Sequence, residues 1–509
     1  MADISEDRPQ GLRLTLVTIA LILAPLLQVL DSSILSIALK QMQGSLSASQ
    51  DQMAWVLTSY LIAVAVMTPF WGALSGIFGR KPLLLFTIAG FMVFSLLSGT
   101  SESLTEILIY RFLQGMLGAA LIPLSQSSLL STYRREDFSI AMSWWGVGIM
   151  FGPIIGPTLG GYITEYFSWR WAFYLNIPVG VVAFIMIALL VPRPGIRQKR
   201  TFNYFGYSML AIAVAALQFV LDRGTRLDWY DSTTIIVLTG IFIAALWVLI
   251  VNSMTSATPF VDPVLFRDRN YVFGMALRVL FGAMLFGSLI LVPPFVQNVG
   301  GYPLIESGLV MAPRGFGAMI GAFVVGRLIR RIDPRKVIVF GMLVSAATMW
   351  EFSNFTEDMV VSHIVAVSLL QGVGFASLIV PVNTVAFSTM AAAQRDVGTA
   401  FYSLLNNLGR SLGIALLSSY WVNASQANHA RLSEFVNPFS PLFGHMQVPP
   451  VWDPTDPSGL AALNKVVVGQ ADLLAYISDF RLLAAVIVIC IPFAFMMRNP
   501  NRLRRQGAA

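Results

Sequence analysis

Long apolar runs separated by short polar loops repeat along the whole chain. The runs cover approximately residues 12–39, 52–75, 81–100, 104–131, 138–165, 171–192, 204–222, 232–252, 270–296, 304–329, 336–353, 359–390, 397–422 and 475–497. Each run is near or above the roughly 20 residues that a helix needs to cross a bilayer. The pattern therefore predicts an all-α polytopic membrane protein with fourteen transmembrane helices, and the even number places both termini on one side.

Composition and charge support this prediction and give it an orientation. Hydrophobic residues make up 56% of the chain and charged residues 12%, whereas soluble domains carry about 25% charged residues. Most lysines and arginines, among them Arg80, Arg331 and Lys336, fall in the loops on the side that also holds the termini. Because basic loops stay in the cytoplasm, we expect both termini to be cytoplasmic, and the charge of +7 reports topology rather than nucleic-acid binding.

Several kinds of chemistry find no support in the sequence. Cys490 is the single cysteine, and His363, His429 and His445 are far apart, so neither an internal disulfide nor a thiol or histidine metal cluster is expected. A membrane enzyme would need Asp, His or Cys clustered near one interface, and the sequence contains no such cluster. The chain also has no phosphate-binding loop of the G-x-x-x-x-G-K-[ST] kind. We expect a carrier without a cofactor or ATP, not an enzyme.

Two parts of the chain repeat each other. A short basic turn follows the second apolar run at 72–82, and a similar turn follows the tenth run at 326–336. Gln114 and Gln371 each stand in a Leu-Gln-Gly sequence, followed nine or ten residues later by Pro123 or Pro381. Parallel six-helix repeats are the architecture of major facilitator carriers. We expect a six-helix bundle at 1–192, a linker with two inserted helices at 193–265, and a second bundle at 266–509.

The fifth apolar run is unusually rich in glycine and proline. Its pattern G-x-x-x-G-P-x-x-G-P-x-x-G-G is carried by Gly148, Gly152, Pro153, Gly156, Pro157, Gly160 and Gly161. Glycines at this spacing remove side chains from one helix face, so a neighbouring backbone can approach closely, and the prolines bend the axis. A tightly packed, kinked membrane helix would explain the spacing equally well.

This pattern resembles the antiporter motif of drug:proton antiporters in the major facilitator superfamily. With the stretches at 30–34, 169–171, 176–180 and 403–407, most of the chain resembles the fourteen-helix antiporters, in particular the EmrB type. The resemblance implies that the fifth helix seals the two halves of the carrier against each other in one of its states.

A second motif resembles the family's cytoplasmic gate and is carried by Gly72, Gly79, Arg80 and Lys81. Gly76 stands where the family usually has an aspartate, so we expect Arg80 to lack the carboxylate partner that the family's charge relay would supply. The alternative interpretation is a solvated basic turn that follows the orientation rule.

Asp31 is the one carboxylate deep inside an apolar run. Arg111, in a stretch that resembles the family's fourth-helix motif near the proton site, lies at a similar depth, because both are roughly 10–12 Å below the outer boundary at 1.5 Å per residue. We expect the two side chains to meet and to couple transport to protons, since an ionisable group at this depth needs a partner or water. A static ion pair that fixes helix packing is the alternative.

Other polar residues inside the runs are candidates for the substrate path. These are Gln114, Arg278, Arg314, Asn406, Asn407 and Arg410. The asparagines could instead form helix-to-helix hydrogen bonds, and the arginines could bind helix carbonyls. The excess of arginine over carboxylate predicts that lipophilic weak acids and neutral amphiphiles are preferred to permanent cations.

The resemblance implies a proton-coupled exporter of lipophilic drugs in a bacterial inner membrane, with protons as the coupling ion and lipids around it. The long polar stretch at about 423–474 is expected to be a periplasmic loop. In the EmrB type such a loop faces a membrane-fusion adaptor (EmrA type) and an outer-membrane channel (TolC type), which complete a tripartite pump. Alternatives are an exporter of one metabolite or siderophore-like compound and a proton-coupled importer.

Overall fold

The computed structural model describes residues 9–192, 202–356, 359–391, 394–436, 452 and 457–498, and every regular element within these ranges is helical. In chain order the α-helices are α1 Gly11–Ser45, α2 Gln50–Phe78, α3 Arg80–Thr100, α4 Leu104–Gly118, α5 Leu121–Thr132, α6 Phe138–Tyr166, α7 Trp171–Tyr174, α8 Asn176–Leu190, α9 Tyr204–Arg223, α10 Thr233–Thr255, α11 Arg269–Asn298, α12 Leu304–Met311, α13 Pro313–Leu328, α14 Pro334–Phe352, α15 Val361–Ser388, α16 Arg395–Ser433, α17 Pro457–Ile489 and α18 Ile491–Met496. Short 3₁₀ helices occupy Arg135–Asp137, Gly224–Leu227, Trp229–Asp231 and Pro263–Arg267.

The polytopic all-α fold agrees with the sequence prediction. Eleven helices in the described part of the chain are long and apolar enough to cross a membrane. The remaining predicted spans coincide with α6, α14 and α16, and the total of fourteen stays a prediction.

Several predicted spans are interrupted by a short break. The breaks lie between α4 and α5, α7 and α8, α12 and α13, and α17 and α18. Each is followed within four residues by a proline, namely Pro123, Pro178, Pro313 and Pro492. Proline has no N–H to donate and its ring clashes with the carbonyl four residues earlier, so the helix ends and restarts on the N-terminal side of the proline.

Helix packing repeats between the first and last parts of the chain. In the first part α1 packs on α6 and α2 on α4, and in the last part α11 packs on α16 and α13 on α15. The two sets meet where α6 contacts α13 and α15, and where α16 contacts α2 and α5. This correspondence is what the six-helix repeat predicts, whereas the exact domain boundaries stay a prediction.

The inserted helix α9 joins both sets. Its Gln218 side chain is buried and donates a hydrogen bond to Ser411 Oγ of α16 over 2.6 Å. On the other side, the Thr58 hydroxyl of α2 donates to the carboxylate of Asp222. The insertion is therefore attached to both halves by polar contacts.

The polar stretch at about 423–474, for which the sequence predicts a loop, is helical at both ends of the range. The helix α16 continues to Ser433 and α17 already begins at Pro457. The Ser425 hydroxyl donates to Asp472 Oδ1 over 2.6 Å, and His429 lies 2.9 Å from Asn464 Oδ1. These polar pairs hold α16 and α17 together beyond their apolar parts, and we call the two paired helix ends the helical hairpin. Residues 437–451 and 453–456 lie outside the described part.

Candidate functional site

The centre of the site is a buried carboxylate in the middle of α1. Asp31 Oδ2 accepts a hydrogen bond from Arg111 Nη1 of α4 over 2.7 Å, and both side chains are almost completely buried. Gln114, one turn further along α4, accepts from Arg111 Nη1 over 2.8 Å and donates to Asp31 Oδ1 over 3.2 Å. The structure thus brings together the two residues of the predicted pair, and Gln114 joins them rather than lining a separate path; their part in proton coupling stays a prediction.

A third helix contributes a donor that the sequence analysis did not assign to the site. Asn176 Nδ2, in the first turn of α8, lies 2.7 Å from Asp31 Oδ1 and 3.0 Å from Ser95 Oγ of α3. Ser95 in turn donates to the carbonyl of Phe173 over 2.8 Å. Asn176 stands in one of the stretches that carry the family resemblance. The sequence signal for its role in the site was an amide side chain in an apolar run, two positions before Pro178.

Aromatic rings complete the surroundings of the ion pair. The Arg111 guanidinium lies 4.1 Å from the centre of the Tyr60 ring and 5.7 Å from that of Phe173. Its Nε and Nη2 atoms are buried without a hydrogen-bond partner among the described residues. A cation over an aromatic face is stabilised by the ring quadrupole, so the rings partly replace the missing partners.

The glycine face of α6 packs against α1, the helix that carries Asp31. A Cβ atom added at Gly152 would lie 2.5 Å from Val29 Cγ1, and one added at Gly156 would lie 2.4 Å from Ser33 Cβ. A Cβ at Gly148 would lie 2.0 Å from Ile22 Cγ2, and one at Gly160 would lie 3.1 Å from the Ile34 carbonyl oxygen, whereas one at Gly161 would have no heavy atom within 4 Å. The side chains of Pro153 and Pro157 lie outside the described part of the structure.

The expectation that the fifth helix seals the two halves in one state of the carrier stays a prediction. In this structure the four close glycines face a helix of the same half, not the opposite half. The contacts of α6 with the other half include Gly146, where a Cβ would lie 3.7 Å from Val380 Cγ2 of α15, and α6 also packs against α12 and α13. The glycines therefore set the distance between α6 and the helix that carries the carboxylate.

At the basic turn after α2, Arg80 has a carboxylate partner, but not from the position where the family has its aspartate. Arg80 Nε donates to Asp396 Oδ1 of α16 over 2.6 Å, which joins the first half to the second. A Cβ added at Gly76 would have no atom within 4 Å, so the position of the usual aspartate leaves open space. Lys81 contacts the end of α8 instead, through the Ala188 and Val191 carbonyls.

Further contacts close the same side of the interface between the halves. Arg395 Nη1 donates to the Leu130 carbonyl over 3.3 Å, and Arg330 pairs with Asp137. A Cβ at Gly72 would overlap with that of Ala400 at 2.3 Å, because the two helices pack backbone to backbone there. The structure is therefore closed at the end that holds the basic turns.

A small polar cavity lies between the halves. It has a volume of about 10 Å³ and is lined by Gln28, Val64, Thr68, Ala119, Ile122, Pro123, Arg278, Ser403, Asn406 and Asn407. Arg278 Nε and Nη1, Gln28 Oε1 and Asn406 Oδ1 are buried without a hydrogen-bond partner in the described part of the chain. Since unpaired polar atoms are costly away from water, and this volume has room for about one water molecule, the cavity is the best candidate for a place where water binds between the halves.

The other candidates on the substrate path lie elsewhere. Arg314 Nη2 donates to Ser288 Oγ over 2.7 Å, and its guanidinium lies 4.7 Å from the centre of the Phe375 ring. The guanidinium of Arg410 lies 4.9 Å from the Phe286 ring. Neither lines the central cavity, so of the predicted path only Arg278, Asn406 and Asn407 come together there.

The remaining carboxylates near the membrane are not part of the site. Glu351 lies 3.1 Å from His363 Nε2 at the end of α14, and both are partly exposed. Asp479 of α17 is completely buried and its two oxygens have no hydrogen-bond partner among the described residues. Those residues also contain no group of three His, Cys, Asp or Glu that could hold a metal ion.

Two helix sets around a central polar cavity define a membrane carrier, and comparison with known proteins gives its family. The model of the family described as Major Facilitator Superfamily matches residues 21–414. The multidrug export protein EmrB of Escherichia coli (strain K12) is 34% identical over 439 residues, which is 86% of each chain. The chain therefore belongs to the Major Facilitator Superfamily and, within it, to the EmrB-type transporters, so it is a transporter and not an enzyme.

Two further similarities extend over nearly the whole length. The fatty acid resistance protein FarB of Neisseria gonorrhoeae is 30% identical over 497 residues, covering 96% of this chain and 97% of that one. The crystal structure of the human organic anion transporter MFSD10 (TETRAN) has a TM-score of 0.62 at 14% identity and covers 95% of this chain and 100% of that one. At such low identity the structural similarity shows the fold alone.

Proposed function

We propose that this protein is a proton-coupled antiporter that exports lipophilic drugs and toxic amphiphiles, weak acids above all, across the bacterial inner membrane with both termini in the cytoplasm. One observation carries the proposal: Asp31, buried in α1, accepts hydrogen bonds from three side chains on α4 and α8. A carboxylate inside a membrane protein is stable only while its partners hold it. Movement of α4 or α8 away from α1 would remove donors and favour uptake of a proton.

The proton site and the central cavity are adjacent on the same helices. Gln28, which lines the cavity, is one helical turn from Asp31 on α1, and Val64 is one turn from Tyr60 on α2. A rotation of either helix therefore acts on both places at once. This link would let protonation of Asp31 and binding of substrate favour different states of the carrier, which is the requirement for exchange.

The charge of the cavity favours acidic substrates. Arg278 lines it with unpaired guanidinium atoms, and the described lining contains no carboxylate. In a low-dielectric site this positive charge repels permanent cations and attracts anions. FarB is named for resistance to fatty acids, which are lipophilic weak acids, and this supports the same substrate class here.

The closure of the structure at the end that holds the basic turns also agrees with export. The basic turns, which the positive-inside rule places in the cytoplasm, lie at the closed end of the interface, with Arg80 bound to Asp396. In this arrangement substrate could leave only toward the opposite side. A proton from that side would then reach Asp31 before the carrier reopens to the cytoplasm.

The helical hairpin of α16 and α17 supports a partner on the non-cytoplasmic side. We propose that it contacts a membrane-fusion adaptor, which with an outer-membrane channel would complete a tripartite pump. Asp472→Asn, which weakens the bond to Ser425, should lower resistance of intact cells while transport in isolated vesicles stays normal. Equal loss in cells and vesicles would argue against an adaptor contact.

Transport in inverted membrane vesicles tests the proposed function. An imposed pH gradient should drive uptake of an acidic antibiotic, and addition of that compound should cause a proton movement that is absent from vesicles without the carrier. A quaternary ammonium dye of similar lipophilicity should be transported more slowly. Better transport of the dye, or uptake that ignores the pH gradient, would contradict the proposal.

A further inference from the structure

The helices α13 and α14 enclose a groove on the membrane-facing side of the second half. Both pack extensively on α15, and little packing joins them to each other in the described structure. Between them lies a groove of about 290 Å³ whose floor is formed by Val373 and Ser377 of α15. We refer to it as the α13–α14 groove. It lies on the outside of the second half, away from the residues of the central cavity.

The walls of the α13–α14 groove are apolar and exposed. Ile320, Val324 and Phe340, on its two sides, are 57%, 56% and 53% exposed. Gly321, which also lines the groove, lets α13 pack closely on α15: a Cβ there would lie 2.9 Å from Ala376 Cβ. Exposed apolar side chains on membrane-spanning helices face lipid tails, so the natural occupant of such a groove is a hydrocarbon chain.

One end of the α13–α14 groove is strongly basic. Lys336 lines the groove itself, and Arg331 stands exposed in the turn between the helices. The segment from Arg327 to Lys336 carries five basic residues and one acidic residue, Asp333. The anionic lipids of the cytoplasmic leaflet are attracted to basic clusters of this kind.

The corresponding turn of the first half offers no such site. There Lys81 donates hydrogen bonds to the Ala188 and Val191 carbonyls over 2.8 and 2.7 Å. Its ammonium group is therefore held by the end of α8, whereas Lys336 is exposed beside an apolar groove. The difference between the repeats indicates a feature specific to the second half.

We propose that the α13–α14 groove binds one anionic phospholipid of the cytoplasmic leaflet. One acyl chain would lie against Ile320, Val324 and Phe340, and the phosphate would contact Lys336 and Arg331. Apolar walls with a basic mouth fit a lipid with a charged headgroup better than a neutral one. The site is separate from the central cavity and independent of the proposed export function.

Native mass spectrometry of the purified full-length protein tests this proposal. Dioleoyl phosphatidylglycerol is titrated into the detergent-solubilised protein, with dioleoyl phosphatidylethanolamine as the neutral comparison. The wild type should retain phosphatidylglycerol preferentially. The double variant Lys336→Gln, Arg331→Gln should bind it about 5- to 30-fold more weakly, and Arg267→Gln, an exposed arginine on the same side, should bind it normally.

A second pair of variants tests the apolar part of the groove. Val324→Trp should fill it and reduce retention of phosphatidylglycerol, while Val237→Trp, at an equally exposed position of α10, should have no effect. Equal retention of both lipids by the wild type, or unchanged binding in the double variant or in Val324→Trp, would overturn the proposal. Displacement of the bound lipid by an acidic transport substrate at equimolar concentration would also overturn it, because the groove would then be a substrate site.

Discussion

The Asn176 side-chain amide lies 2.7 Å from the Asp31 carboxylate, and its position depends on Ser95, 3.0 Å away on α3. Three helices thus meet at one buried carboxylate, since Asn176 begins α8, Arg111 lies on α4 and Asp31 on α1. Any change in the relative positions of these helices would change the hydrogen bonds that Asp31 accepts. Hydrogen bonds to a charged group contribute about 1.5–3 kcal/mol each, so losing one of them is enough to shift a conformational equilibrium.

The contact between Asn176 and Asp31 gives the first prediction. Asn176→Ala removes one donor and should lower proton-driven transport by about 10-fold or more, the factor that such a bond supplies. Ser95→Ala is the matched control, because it removes only the acceptor that orients the amide, and should have a smaller effect. Initial transport rates in vesicles, normalised to protein amount, decide the question, and an unaltered rate in Asn176→Ala would remove this residue from the site.

The second prediction concerns the glycine face of α6. Gly156→Ala should slow transport strongly, because its Cβ would come within 2.4 Å of Ser33 on α1 and push the two helices apart. Gly152→Ala should act in the same way, and leucine at either position should abolish transport without preventing insertion, which depends on apolarity. Gly161→Ala, where the added atom meets nothing within 4 Å, is the control. If all three variants transport alike, the spacing of α6 and α1 is irrelevant to the transport cycle.

The third prediction concerns the ion pair between Arg80 and Asp396. Asp396→Asn should open the cytoplasmic side, because it weakens a bond that joins the two halves. Spin labels attached at the cytoplasmic ends of α3 and α16, in a Cys490→Ser background, should report a longer distance. Exchanging the two charges in the double variant Arg80→Asp, Asp396→Arg should restore the shorter one. Distances that do not respond to either change would show that the pair is not a gate.

The sequence was sufficient to predict the membrane fold, the repeat and the depth of Asp31 and Arg111, because hydropathy and helical rise depend on local sequence alone. It could not show that Arg80 pairs with Asp396, 316 positions away in the chain. That contact depends on how the halves pack. Similarly, Asn176 looked like part of a motif until the packing of α8 on α1 and α3 placed its amide beside Asp31.

The arginines inside the apolar runs also show what the sequence could not predict. Their positions along the apolar runs are similar, yet Arg278 lines the central cavity while Arg314 is bound to Ser288. Depth along a helix was predictable, but the direction of each side chain depends on the rotation of its helix in the bundle. The loop at 423–474 was predicted from its polar composition, but polar residues also form helices outside the membrane when a second helix packs beside them.

The fourth prediction uses this difference between the arginines. Arg278→Gln should reduce transport of an acidic substrate and raise that of a cationic one, because it removes the positive charge from the cavity. Arg314→Gln is the control, since Arg314 lies outside the cavity. The ratio of acidic to cationic transport should fall several-fold in the first variant and remain near the wild-type value in the second. The reverse order would identify Arg314 as the residue that selects substrates.

The variant Asp31→Asn shows whether Asp31 carries the coupled proton. The substitution keeps the shape of the side chain and removes its titration, so the variant should fold and insert normally. Glu351→Gln, at the partly exposed pair with His363, is the matched control and should behave as the wild type. The measurement is proton movement on addition of an acidic substrate to vesicles: we expect none for Asp31→Asn, and a wild-type signal from that variant would mean that another group carries the proton.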